Sequence, residues 1–87
     1  MVVPLAIRYT RTALKSLTRM PANTARLITA KIEQYAAEPA SLANNVKRLK
    51  GRPGFRLRVG DYRIIFDQDG TVMDILEVGP RGSIYED

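Results

Sequence analysis

The stretch LKGRPGFRLRVGDYRIIF, Leu49 to Phe66, is typical of two β-strands joined by a tight turn at Gly60-Asp61. Glycine at the first central position of a two-residue loop favours a type II′ hairpin. Such a loop fixes the register, because each residue before the turn then faces one residue after it. The predicted pairs are Val59–Tyr62, Arg58–Arg63, Leu57–Ile64, Arg56–Ile65 and Phe55–Phe66.

The alternation of side chains along a strand gives this hairpin two unlike faces. We name one of them the arginine face: the side of the sheet that carries Arg56, Arg58 and Arg63, with Ile65 among them. Because like charges on opposed strands destabilise a sheet, the pair Arg58–Arg63 indicates an anionic partner. The other face is apolar and is expected to join the core; it carries Phe55, Leu57, Val59, Tyr62, Ile64 and Phe66.

The arginine face has two interpretations. The first is an ordinary solvated outer face of a half-buried sheet. The second, which we favour, is a phosphate-binding surface, because the basic residues continue upstream and Asp61 is the only acid between Lys47 and Arg63. The upstream residues predicted to take part are Lys47, Arg48, Lys50 and Arg52.

The composition of the 87-residue chain limits its chemistry. This length suits one domain, residues 1–87, with a single modest core. The sequence has no cysteine and no histidine, so the usual ligands of zinc and other transition metals are missing, as is the base of a serine-type triad. We therefore expect no disulfide, no metal and no cofactor.

The net charge of +5 favours a polyanionic partner such as nucleic acid, the ribosome or an acidic protein. The acids are unevenly spread, since only Glu33 and Glu38 precede Asp61. The opening MVVPLAIRYTRTALK has too short an apolar run for a secretory signal or a membrane span. A cytoplasmic location is the expectation.

The first half of the chain predicts a strand and two helices. Val2–Tyr9 has strand composition, with Pro4 limiting it to an edge position or a late start. A helix capped by Thr10 or Thr12 follows to about Arg19, and a second runs from about Asn23 to Ala37 before Pro39. The residues expected to face the core are Ala13, Leu14, Leu17 and Met20 in the first helix and Leu27, Ile28, Ile32, Tyr35 and Ala36 in the second.

The second half predicts the sheet. Ala40–Asn45 is a connector, Val46–Gly51 leads into the hairpin, and Asp69-Gly70 centres a second turn before the strand Val72–Val78. That turn places Asp74 on the arginine face, where it offers Arg63 a structural partner, and points Glu77 towards the core, which is awkward for a carboxylate.

These elements predict an α+β fold: an N-terminal strand and a helical hairpin packed on one face of a three- to four-stranded, mainly antiparallel sheet, whose opposite face is open and basic. Ile84-Tyr85 is expected to add a short terminal strand or tail.

Several segments together resemble the RelE-type toxins of bacterial and archaeal toxin–antitoxin systems, within the RelE/ParE superfamily. The resemblance covers the whole chain and implies a RelE-like fold. It rests on Leu49-Lys50-Gly51, on FRLRVGDYRIIF from Phe55 to Phe66, on VGPR from Val78 to Arg81, and on Tyr85.

The resemblance implies a cytoplasmic mRNA endoribonuclease that enters the ribosomal A site, cuts the messenger without a metal and so inhibits translation. It also implies a cognate antitoxin that wraps around the toxin, and we expect an acidic segment that is disordered when free. Lys47, Arg48, Lys50 and Arg52 would then bind messenger or ribosomal RNA. The family's site residues fall on Arg56, Arg58, Arg63, Arg81 and Tyr85.

Cleavage without a metal requires attack by a 2′-hydroxyl on the adjacent phosphate. Guanidinium groups bind phosphate oxygens bidentately, so Arg63 and Arg81 are candidates for stabilising the transition state. Tyr85 could stack on a base or exchange a proton. Relatives often carry lysine at the positions of Arg56 and Arg58, and because arginine stays protonated, the general base is left unidentified.

The sequence also allows two other functions. One is a ParE-like toxin, which shares the fold and inhibits DNA gyrase by binding. The other is an inactive toxin homologue that only binds its antitoxin.

Overall fold

The structure, a computed structural model, describes residues 4–82. The predicted terminal strand at Ile84-Tyr85 therefore lies outside the described residues. Within them, strands and helices follow one another with short connections. The elements are β1 (Ala6–Tyr9), α1 (Arg11–Thr18), α2 (Ala22–Ala37), a 3₁₀ helix (Pro39–Asn45), β2 (Val46–Arg48), β3 (Phe55–Val59), β4 (Tyr62–Gln68) and β5 (Val72–Pro80).

The strands form one five-stranded sheet in the order β1-β5-β4-β3-β2. Neighbours from β2 to β5 are antiparallel, whereas β1 pairs with β5 in parallel. The predicted α+β fold is confirmed, with a larger sheet than the three or four strands expected. The added strand is Val46–Arg48, which pairs with β3 at the edge opposite β1.

The junction of β1 and α1 is fixed by Thr10. β1 lies at the sheet edge and begins at Ala6, as Pro4 predicted. The Thr10 side chain then accepts a hydrogen bond from the Ala13 backbone N–H at 3.1 Å, which is the usual N-cap arrangement. α1 therefore starts immediately after the strand and packs back onto the sheet.

The helices and the apolar face of the sheet enclose the core around Phe66, which is 0% exposed. Its ring centroid lies 5.2 Å from that of Tyr35 on α2 and 5.5 Å from that of Phe55 on β3. For two helix residues the prediction that they face the core is wrong: Leu14 is 50% exposed and Leu27 is 52% exposed. Both lie at the margin of the apolar side of their helix, and only the centre of that side is covered by the sheet.

The hairpin of β3 and β4 has the predicted register at all five pairs. Gly60 has a φ of 57°, a left-handed conformation that suits the first central residue of the turn. Gly54, at the start of β3, has a φ of 113°, and a Cβ atom there would lie 3.0 Å from the Phe66 carbonyl oxygen. The close approach of these two backbones therefore requires glycine.

The turn between β4 and β5 is organised by the Asp69 carboxylate. Its Oδ1 accepts hydrogen bonds from the backbone N–H of Thr71 at 2.7 Å and of Val72 at 2.8 Å. These two bonds, and one from the Thr71 hydroxyl, hold the pKa of Asp69 below its usual value. The Asp69 N–H bonds the Val72 carbonyl at 3.0 Å, so Gly70-Thr71 forms the loop, one residue later than predicted.

Candidate nucleic-acid interface

The arginine face is built from rows of residues that lie side by side across the strands. The row nearest the Gly60-Asp61 turn contains Arg58, Arg63 and Gly79, because β3, β4 and β5 pair in that register. The next row contains Lys47, Arg56, Ile65 and Glu77. The farthest row contains Asp67, Asp74 and Arg8. Positive charge is therefore concentrated at the turn end, and the acids of β4 and β5 lie mainly at the other.

Arg81 joins the positive end of this face. It follows directly after β5, and its backbone N–H donates a 2.7 Å hydrogen bond to the carbonyl of Asp61 in the β3–β4 turn. The segment that carries Arg81 is thereby held beside the row of Arg58 and Arg63. Arg58 and Arg81 are both exposed, so their guanidinium groups are open to a ligand from solvent.

The centre of the arginine face is covered, contrary to the prediction of an open surface. Ile65 is 0% exposed and Arg63 is only 5% exposed. Arg63 Nη1 lies 3.4 Å from the Tyr62 carbonyl, to which it donates a hydrogen bond. Long neighbouring side chains can cover such positions with their aliphatic stems, and period-two alternation does not reveal this.

Asp74 lies on the arginine face as predicted, but its predicted pairing with Arg63 is wrong. In the parallel register Asp74 is opposite Arg8, and Arg8 Nε lies 2.8 Å from Asp74 Oδ1. The hydrogen bond and charge of Asp74 raise the pKa of Arg8. A turn centred on Asp69-Gly70 would pair Ile65 with Asp74, whereas the turn at Gly70-Thr71 pairs Asp67 with Asp74.

Glu77 was predicted to point towards the core, and this is wrong because β5 contains a bulge. Phe66 pairs with Ile75 but Ile65 pairs with Glu77, so Leu76 is an extra residue in β5. A bulge reverses the alternation beyond it. Glu77 therefore lies on the arginine face, opposite Ile65, and not on the core side where regular alternation had placed it.

The bulge is held by Thr10. Its hydroxyl donates a 2.8 Å hydrogen bond to the carbonyl of Leu76, and its N–H donates one to the carbonyl of Ile75 at 3.0 Å. The same hydroxyl caps α1, so one side chain connects the first helix to the irregular part of β5. The only signal in the sequence was the awkward position that regular alternation gave to Glu77.

The upstream basic residues do not all share one surface. Lys47 is opposite Arg56 on the arginine face, whereas Arg48 lies on the other face, 5.6 Å above the ring centroid of Phe55. Arg52 Nη2 lies 3.7 Å from Glu77 Oε2 and so adjoins the arginine face. Lys50 is exposed in the segment before β3. Tyr85, the last predicted site residue, lies outside the described residues.

A groove of about 230 Å³ runs beside the arginine face, between α2, the 3₁₀ helix and β3. Arg58 belongs to both the groove and the arginine face. The exposed side chain of Leu27 adds an apolar contact at its margin. The lining residues are Leu27, Lys31, Leu42, Asn45, Leu57, Arg58, Val59 and Gly60.

The described residues offer neither a metal site nor a membrane-spanning helix. Residues 4–82 contain no group of three or more acidic side chains placed to hold a metal ion. The helices in the same range are too short or too polar for any of them to cross a membrane.

The comparisons with solved structures identify close structural relatives. A chain of the toxin–antitoxin complex RelBE2 from Mycobacterium tuberculosis is 28% identical, with a TM-score of 0.76 over 91% of this chain and 100% of that chain. A chain of the archaeal RelE–RelB complex from Pyrococcus horikoshii is 25% identical, with a TM-score of 0.74 over 94% and 100%. The isolated RelE toxin of E. coli shares the fold at 16% identity, with a TM-score of 0.72 over 92% and 87%.

Among curated protein sequences, none matches this chain significantly. The family model described as "ParE toxin of type II toxin-antitoxin system, parDE" matches residues 7–85. The match covers most of the chain, and the structural relatives carry RelE names, so the predicted superfamily is confirmed. The chain belongs to the ParE toxin family of type II toxin–antitoxin systems, within the RelE/ParE superfamily.

Proposed function

We propose that this toxin is a metal-independent endoribonuclease that cuts messenger RNA in the ribosomal A site and thereby stops translation in the cytoplasm. The observation that carries the proposal is the concentration of Arg58, Arg63 and Arg81 at one end of the arginine face. Arginines that lie side by side at one end of a sheet suit a substrate rich in phosphate.

Each arginine has a distinct part in this proposal. Arg58 and Arg81 are exposed and can contact phosphate oxygens directly. Arg63 is 5% exposed, so its charge acts mainly from within the protein, where solvent screens it less. Arg56 lies one row further along the same face and extends the positive surface along an RNA strand.

The reaction needs charge stabilisation above all. When the 2′-hydroxyl attacks the adjacent phosphate, the phosphoryl oxygens gain negative charge in the transition state. Removal of one preorganised donor from such a site costs about 3 kcal/mol, which is roughly 10²-fold in rate. Binding to the ribosome would supply the alignment of the RNA that the toxin alone does not.

The second candidate function is inhibition of DNA gyrase, and the family model that matches residues 7–85 favours it by its name. The RelE names of the structural relatives favour the nuclease instead. The arginine face supports the nuclease more directly, because metal-free RNA cleavage needs clustered cations at the scissile phosphate, whereas gyrase inhibition requires only binding.

We also propose that a cognate antitoxin covers this site with an acidic segment. Relatives were crystallised as complexes with their antitoxins, as in the RelBE2 complex and the archaeal RelE–RelB complex. The groove beside the arginine face combines apolar lining with Lys31 and Arg58, which suits an amphipathic acidic helix. A segment in this groove that continues past Arg58 would also shield the arginine face.

The deciding experiment compares two assays of the purified toxin. The nuclease proposal predicts cleavage of a messenger during translation in a reconstituted system, no cleavage of the same RNA without ribosomes, and normal supercoiling by purified gyrase. An intact messenger together with blocked supercoiling would overturn the proposal in favour of gyrase inhibition. If the purified toxin has no effect in either assay but still binds its antitoxin when the two are mixed, it is an inactive homologue.

A further inference from the structure

A carboxylate stands among the cations of the arginine face, and its position depends on the bulge in β5. Without the extra residue Leu76, Glu77 would share the core side with Ile75. With it, Val78 is the buried residue, at 3% exposure, and Glu77 is turned to the arginine face. The hydrogen bond from Thr10 to Leu76 stabilises this arrangement.

The Glu77 carboxylate forms an ion pair with Arg52 and is still reached by solvent. Its side chain is 35% exposed, and the 3.7 Å between Arg52 Nη2 and Glu77 Oε2 is longer than a hydrogen bond, so the carboxylate can also contact a ligand. Ile65 is its neighbour across the strands, and Arg63 is the diagonal neighbour, at about 7–8 Å between Cα atoms. The carboxylate can therefore approach a ribose whose phosphate is bound at the turn end of the face.

We propose that Glu77 is the general base of the cleavage reaction, a catalytic residue for which sequence analysis found no candidate. The inference rests on the proposed nuclease function. A base must accept a proton, which the permanently protonated arginines of this face cannot do. Among the described residues, Glu77 is the one carboxylate in the two rows that carry Arg58, Arg63 and Arg56, since Asp61 lies in the turn beyond them.

Glu77 takes the proton of the ribose 2′-hydroxyl, and the 2′-oxygen forms a bond to the adjacent phosphorus. The bond from phosphorus to the 5′-oxygen of the next nucleotide breaks, and that oxygen takes a proton from water. The products are a 2′,3′-cyclic phosphate and a 5′-hydroxyl, and the proton on Glu77 returns to solvent. Guanidinium groups nearby hold the charge on the phosphoryl oxygens throughout.

The test measures single-turnover cleavage by the full-length toxin bound to translating ribosomes. The compared proteins are wild type, Glu77→Gln, Glu77→Asp and Asp67→Asn, an acid-to-amide control one row further from Glu77 on the same face. We expect Glu77→Gln to lower the cleavage rate by about 10²-fold or more while ribosome binding is unchanged. Glu77→Asp should retain part of the rate, because it keeps the carboxylate, and Asp67→Asn should cleave like wild type.

The outcomes separate this inference from the function on which it rests. If Glu77→Gln cleaves within threefold of the wild-type rate, Glu77 is not the general base, and the nuclease function itself is still supported. An Asp variant as slow as the Gln variant, with both melting at lower temperature, would assign Glu77 a structural role and also overturn the inference. Absence of ribosome-dependent cleavage by wild type would refute the nuclease itself.

Discussion

Replacement of Thr10 by valine tests how the first helix and the β5 bulge are connected. Valine keeps the shape of threonine but removes the hydroxyl, which caps α1 at Ala13 N and donates to the carbonyl of Leu76. Loss of an N-cap costs about 1 kcal/mol. A partly buried carbonyl left without its donor costs about 1 kcal/mol more. We therefore expect the free energy of unfolding to fall by about 2 kcal/mol.

The measurement is urea-induced unfolding followed by circular dichroism, with thermal melting as a second readout. For a domain of this size, about 2 kcal/mol corresponds to a fall in Tm of roughly 8–16 °C. Thr10→Ser is the matched control, since it keeps the hydroxyl and should unfold within about 0.5 kcal/mol of wild type. A valine variant as stable as the serine variant would show that the two hydrogen bonds contribute nothing to stability, contrary to this prediction.

Three further predictions follow from the turns and the groove. Gly54→Ala should lower the free energy of unfolding in urea by about 2 kcal/mol, because alanine is strained at a positive φ and its Cβ would crowd the β4 backbone. Gly70→Ala is the control, since a Cβ there meets open space, and its free energy of unfolding should stay near that of wild type. The pKa of Asp69 is lowered in the folded state, so its stabilising effect is complete above the pKa of the unfolded chain and is lost as the pH falls through the pKa of the folded protein. Asp69→Ala should therefore flatten the decline in stability below about pH 4. An unchanged pH profile of stability would contradict this. Leu27→Asp should weaken antitoxin binding in calorimetry without lowering Tm, whereas the equally exposed Leu14→Asp should leave binding unchanged.

Local patterns predicted much of the fold because the features concerned depend on residues close in sequence. The turn at Gly60-Asp61 sets the β3–β4 register, and Thr10 marks the start of α1 within three residues of its partner Ala13. The helical periodicity was correct for the residues at the centre of each apolar stripe. It failed for Leu14 and Leu27, because periodicity does not show where the covered surface ends.

The candidate site was harder to predict because it depends on distant contacts. The bulge is held by a hydrogen bond between residues 66 positions apart, and no residue in the segment from Val72 to Val78 marks it. One inserted residue moved Glu77 from one side of the sheet to the other. The burial of Arg63 was likewise not predictable, because regular alternation assigns a residue to a face of the sheet but does not show how much of it solvent reaches.

In the proposed reaction, the guanidinium groups at the turn end of the arginine face stabilise the charge that develops on the phosphate. Arg81 is the best residue to test, because it is exposed and its loss should leave the fold intact. The measurement is the rate of messenger cleavage on ribosomes for wild type, Arg81→Ala and Arg26→Ala, which removes an equal charge from α2. We expect Arg81→Ala to lower the cleavage rate by about 10²-fold and Arg26→Ala to cleave like wild type. Equal rates for all three proteins would contradict this expectation.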